Sequence, residues 1–403
     1  MNRSKDIRNT LLFLAIQMSP SPDSQSLITS NWRQVSNAGS AKGKIAVLSV
    51  ILCFIGTLPG CGGANMQAPL LKGSGFQQRN LVSDTAGTAA HTDPFLLNSW
   101  GVAFEPGQSF WIADNNRGSA KVFDPSGNPG VPSVVGIPAV SNALPSTPTG
   151  IVFNPVPQDF LIRGTPAQFL VATEDGTIST WAAINGNFPA NALLARDDSA
   201  SGAVYKGLAI LTPQCCREYL ALADFHGGFI ATYDINFNLL GTLGSFKDPN
   251  LPAGYAPFNI QEIGAQVFVT YAVQDASGVN PVIAPGNGIV TVFDQEGNFI
   301  RRLASNGTLN APWGIVQASA NFGSFSNDIL IGNFGDGTIN AFDPANGNFV
   351  GQLKDASGSV ITNLGLWALV FRSDGVGNPD NLYFTAGSSG EDHGLFGTIS
   401  PQN

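Results

Sequence analysis

Charge is what this 403-residue chain has least of. Only 12% of its residues are charged, about half the roughly 25% usual in soluble domains. The 19 Lys and Arg are outnumbered by 28 Asp and Glu, for a net charge of −9. With no basic run to offset that balance, the phosphate backbone of a nucleic acid is excluded as a partner. Histidine (three) and cysteine (four) are also scarce, and neither CxxC nor HxxxH spacing occurs, which excludes a zinc-finger type of centre. No GxSxG elbow is present, and no strand–GxGxxG–helix arrangement for a nucleotide. The longest apolar run is about 14 residues, short of the roughly 20 that span a bilayer.

Glycine (47) and phenylalanine (27) are abundant, as expected of a turn-rich chain with an aromatic core. Residues 329–353, ILIGNFGDGTINAFDPANGNFVGQL, carry the pattern in its clearest form. An apolar run ends at Asn333, Gly335-Asp336-Gly337 makes a turn, and Thr338 to Phe342 alternates as a half-buried strand should. Asp343-Pro344 through Asn348 is a second turn, and Phe349 to Leu353 a further strand.

The first 75 residues differ in kind and form a separate N-terminal extension, leaving 76–403 for the fold. Lys42 and Lys44 precede the hydrophobic run Ile45 to Leu58, followed by small residues, the parts of a secretory signal. Leu58-Pro59-Gly60-Cys61 resembles a bacterial lipobox, so Cys61 is a candidate lipidation site. The expectation is export to the periplasm, outer membrane or medium, with membrane contact only through that anchor. Cys215 and Cys216 are adjacent, either as loop thiols or as a vicinal disulfide.

Six repeats follow. Each opens on a short strand centred on Gly101, Gly150, Gly207, Asn259, Gly314 or Ala368, at spacings of 49 to 57 residues. That is near the 40–50 residues of a four-stranded propeller blade. The second strands are equally regular: Phe110 to Asp114, Phe169 to Thr173, Tyr219 to Asp224, Val267 to Thr270, Ile329 to Asn333 and Leu382 to Thr385. The sixth unit lacks an outer strand, while the spare segment Gln78 to Ser83 precedes the first. The pattern therefore predicts an all-β, six-bladed β-propeller with four-stranded blades, closed by an N-terminal strand that completes the last blade and hides two sheet edges.

This pattern resembles the NHL-type and gluconolactonase-type six-bladed propellers. It is most similar to a family of secreted bacterial propeller proteins carrying the same "WGIV…ILIGNFGDGTINAFDP" phrases, over about Phe76 to Pro401. Fold does not imply function, so the site has to be read from loops.

In a propeller, the loops leading into the first strands and those joining second to third strands share one face. Trp100, Thr149, Lys206, Phe258, Trp313 and Trp367 precede the repeat centres and form one ring. They suggest a stacking platform for a carbohydrate or another small molecule, with Lys206 as its cation, or a face for an envelope protein; alternatively the rings wedge between blades as packing. The same face carries Asp114, Glu174-Asp175, Asp224, His226, Asn333 and Glu391-Asp392-His393. With Asn98 and Asn259, the residues Asp114, Glu174, Asp224, His226 and Asn333 are candidates to hold a divalent cation such as calcium. The resemblance to gluconolactonase-type enzymes implies a Glu, two Asn and an Asp around a metal, yet no Glu leads into the first blade. The reading preferred from sequence is a non-catalytic binding propeller; a metal-dependent hydrolase or lactonase is the alternative. Asp124, Asp234, Asp294 and Asp343 read as turn caps on the opposite face.

Overall fold

The computed structural model describes residues 75–213, 217–240 and 245–402. The secretory-type segment, Cys61 and the Cys215-Cys216 pair lie outside the described residues.

Six antiparallel sheets form a six-bladed propeller. The inner strands are Ser99–Phe104, Pro148–Phe153, Tyr205–Leu211, Tyr255–Ile263, Pro312–Gln317 and Leu366–Val370, and each stands at one edge of the sheet of its blade. The second strands, among them Phe110–Asp114, Phe169–Thr173 and Ile329–Asn333, are buried at every residue. Both faces of such a strand are covered by neighbouring blades, so an unbroken apolar run replaces polar–apolar alternation. The third strand of blade 5, Ile339–Phe342, is likewise wholly buried, contrary to the half-buried expectation. Its Asn340 is accommodated by hydrogen bonds to Thr338 Oγ1 (3.3 Å) and from Gln352 Nε2 (3.1 Å).

Four blades have four strands, and blade 3 shows three among the described residues. The ring closes as expected. Phe76–Ser83 pairs antiparallel with the last strand, His393–Pro401, from Phe76 opposite Pro401 to Ser83 opposite Leu395. A two-residue strand, His91–Thr92, adds a fifth member to this sheet, parallel to the closing strand. Phe76 also packs on Phe322 (4.8 Å between centroids) and stacks on Phe325 (5.7 Å) of blade 5.

The repeat glycines are explained by proximity. A Cβ on Gly101 would lie 2.5 Å from the Thr149 carbonyl oxygen of the next inner strand, and one on Gly314 would strike the Trp367 carbonyl. Neighbouring inner strands converge so closely that only glycine fits at these points.

The turns after the third strands are Asp-capped. Asp124 accepts from the amides of Ser126 (2.8 Å) and Asn128 (2.9 Å), and Asp234 and Asp294 repeat the arrangement. Among the described residues no helix is long and apolar enough to cross a membrane.

Candidate functional site

Inner strands run from the face of the second-to-third-strand loops toward the opposite face, so the two ends of the axis can be described separately. At the first end the sequence-derived ring does converge, but as a solid plug. Trp100, Phe258, Trp313 and Trp367 are all buried. Trp100 stacks on Trp367 with centroids 3.6 Å apart, and Trp313 meets both edge-on at 6.4 and 5.8 Å. Phe258 reaches Trp367 from blade 4 at 5.9 Å, while Phe225 and Phe334 complete the cluster. Rings from neighbouring blades, and from blades two places apart around the ring, are therefore in contact. They leave no exposed platform, and most of their contacts join adjacent blades, with only Trp100–Trp313 and Phe258–Trp367 reaching one blade further.

Lys206 is 2% exposed within this plug. Its ammonium pairs with Glu174 and lies 5.3 Å from the centre of the Trp100 ring. Its carbonyl accepts from Trp313 Nε1 (2.9 Å), a bond from blade 5 to blade 3. Glu174 Oε2 accepts from Asn115 Nδ2 (3.1 Å). Asn115 Oδ1 accepts from Asn98 Nδ2 (3.3 Å), which also donates to Glu391 Oε2 (2.8 Å). Asn98 Oδ1 takes the Trp367 indole N–H (2.8 Å). The result is one continuous polar chain, Glu391–Asn98–Asn115–Glu174–Lys206, laid over the aromatic plug.

Glu391 has no role in the sequence reading, although its loop was visible there as an acidic stretch. Its backbone lies in the left-handed region (φ 72°), as does that of Ser389 (φ 55°), a costly conformation for residues other than glycine. Asn116 Nδ2 holds the Glu391 carbonyl (2.7 Å). Burial raises the Glu391 carboxyl above its ordinary pKa, and the neighbouring Glu174 charge pushes it the same way. The Asn98 hydrogen bond and the Lys206 charge oppose the shift.

Of the residues considered for a divalent cation, only Asn98 and Glu174 join this chain, and the Lys206 ammonium already supplies its positive charge. Asp114, Asp224 and Asn333 instead brace their own blades. Asp114 Oδ1 accepts from the Leu97 amide (2.8 Å), Asp224 Oδ1 from Val204 (3.1 Å) and Asn333 Oδ1 from Asn310 (3.1 Å). Each ties the end of a second strand to the segment leading into the inner strand of the same blade. Burial lifts the Asp114 carboxyl to about 7, against the Leu97 hydrogen bond and the Lys121 charge. Asn259 spends its Nδ2 on the Trp313 carbonyl (2.9 Å). His226 is exposed on the blade 3 loop. Among the described residues no group of three or more His, Cys, Asp or Glu is placed to hold a metal ion.

At the other end the axis is open, the reverse of the side favoured from sequence. A cavity of about 720 Å³ is lined by all six inner strands, from Gly101, Gly150 and Gly314 at depth to Pro155, Thr212, Gly264, Gln317 and Ser373 near the first-to-second-strand loops. Trp313 and Asn259 belong to both the plug and the cavity wall. The cavity is therefore a blind pit whose floor is the plug. Its side chains are mainly aliphatic and aromatic, but close to half of the exposed lining is polar; Thr212, Asn259, Gln261, Gln317 and Ser373 are polar points, and Glu262 is the one ionisable residue among the described lining residues. Such a volume falls in the range of small-molecule sites. No motif marks the pit in the sequence, because it is the space that six separated strands leave between them.

No family model matches the chain. Curated proteins from Acanthamoeba polyphaga mimivirus do, among them the uncharacterised protein R648, 34% identical over 330 residues and covering 79% of this chain and 78% of its own. The uncharacterised protein L690 is 32% identical over 331 residues, covering 79% and 84%. Among solved structures, an α-L-arabinofuranosidase from Fusarium graminearum aligns with 81% of this chain and 98% of its own at 10% identity, with a TM-score of 0.50. A soluble aldose sugar dehydrogenase from Escherichia coli aligns with 81% and 99% at 12% identity and a TM-score of 0.48. A streptogramin B lyase aligns with 81% and 97% at 12% identity and a TM-score of 0.46. At these identities the likeness is one of fold. The curated relatives are viral, so the resemblance to secreted bacterial proteins narrows to the propeller itself.

Proposed function

This chain belongs to the family of the mimivirus proteins R648 and L690, and we propose that it is a non-catalytic binding propeller that takes a small organic ligand into its axial pit. One observation carries the reading: the pit of about 720 Å³ is lined by every inner strand. A preformed concavity with both apolar and polar surface binds without ordering loops, which limits the entropic cost of association. The constellation at the closed end supports the non-catalytic part. Its lysine, carboxylates and amides are bonded to one another, and the rings beneath fill the axis.

Ser373 is exposed, lines the mouth and lies far from the plug in its strand order. Ser373→Trp is expected to leave the melting temperature of the free protein within about 1–2 °C, consistent with a surface change. It should weaken any ligand that raises the wild-type melting temperature by at least tenfold, read by calorimetric titration. Ligands bound equally well by both proteins would place binding elsewhere.

A further inference from the structure

Resting on the pit as the binding site, we propose that its ligand is an amphiphilic organic ammonium ion, with an apolar body against the inner strands and its charged nitrogen at Glu262. Among the described residues the lining contains no Lys, Arg or His, and Glu262 is its single ionisable side chain. Val102, Ile151, Leu208, Ile315 and Leu369, from five different blades, supply apolar wall around the axis. Glu262 is half-buried at the mouth; one oxygen accepts from Gln295 Nε2 (2.5 Å), and the other has no hydrogen bond among the described residues.

The rim on this side is acidic beyond that residue. Glu218, 6% exposed, has a carboxylate oxygen with no hydrogen-bond partner among the described residues. Burial lifts its carboxyl to about 7, and the charges of Asp159 and Glu262 add to the effect. Asp159 is already matched by Arg217, which leaves Glu262 as the unpaired carboxylate at the mouth among the described residues, with the buried Glu218 near it.

A carboxylate ligand would meet repulsion there and lose its hydration without a countercharge. An ammonium group on an apolar body matches both halves of the lining. The net charge of −9 further favours encounter with cations.

The test is calorimetric titration of the full chain near pH 7 with three isosteric probes: phenethylammonium, 2-phenylethanol and phenylacetate. Phenethylammonium should bind at least tenfold more tightly than the alcohol, and phenylacetate should give no binding heat. Glu262→Gln should reduce the ammonium to the affinity of the alcohol while leaving the alcohol and the melting temperature unchanged. Binding of the alcohol with no preference for the ammonium, or a preference that survives Glu262→Gln, overturns the charge assignment alone. No binding of any probe at millimolar concentration overturns both this inference and the pit as the site.

Discussion

Asp114, Asp224 and Asn333 occupy equivalent places in three blades, and each accepts the amide that leads into its own inner strand. Read alone, an acid after a strand could serve a cation or a turn; repetition with the same partner assigns these to the framework. That assignment has a pH consequence. Burial holds the Asp114 carboxyl near 7 in the folded protein, above its ordinary 3.8. Between these values the folded state keeps a proton that the unfolded chain has released. The group's contribution to stability is therefore greatest below pH 4, falls as pH rises toward 7, and is flat above. Asp114→Asn keeps the acceptor for Leu97, as Asn333 does for Asn310, and removes the ionisation. The variant should be the more stable by about 1–3 kcal/mol at pH 8 and lose the advantage by pH 4, as urea unfolding at the two pH values would register. An advantage equal at both would refute the burial argument. Glu391 was less legible: a left-handed backbone and an amide partner 293 residues away in sequence leave no local trace.

At the level of strands, the sequence is highly informative. Phe110–Asp114, Phe169–Thr173, Tyr219–Asp224 and Ile329–Asn333 have the bounds expected from their apolar runs, because burial on both faces permits nothing else. The third strands are less clear, since residues such as Asn340 are buried through hydrogen bonds that only the folded sheet supplies. The closing strand was legible as a surplus at one end matched by a deficit at the other. Its clamp on blade 5 was not. Phe76 is 3% exposed against Phe322 and Phe325, and Phe76→Ala should cost about 3–5 kcal/mol in urea unfolding. A loss below about 1 kcal/mol would show that backbone pairing alone shuts the ring.

For the whole molecule, the two ends of the axis divide the labour. One end is filled by rings and crossed by a polar chain joining blades 6, 1, 2 and 3; the other is a pit. Lys206 is central to the filled end, so Lys206→Met, similar in length but uncharged, should lower stability by about 1–3 kcal/mol. That range is below the usual cost of breaking a buried pair because Glu174 keeps partial solvent access. Ligand binding in the pit should persist in this variant at unchanged affinity, which a titration beside the urea curve would establish. Composition and repeat spacing announce a ring, yet they cannot announce which end is stoppered. That depends on how far six side chains reach across a space no sequence interval measures.

The seam between Phe76–Ser83 and His393–Pro401 also sets a timetable. Its outermost pair, Phe76 and Pro401, is separated by 325 positions. At translation rates of about 5–20 residues per second, the early strand waits roughly 16–65 s for its mate. Throughout that interval blade 6 is unmade, and the nascent chain carries the unpaired hydrogen-bonding groups that invite intermolecular strand addition. Yield in the cell should therefore depend on how well that waiting edge is shielded during synthesis, more than on the stability of the finished ring.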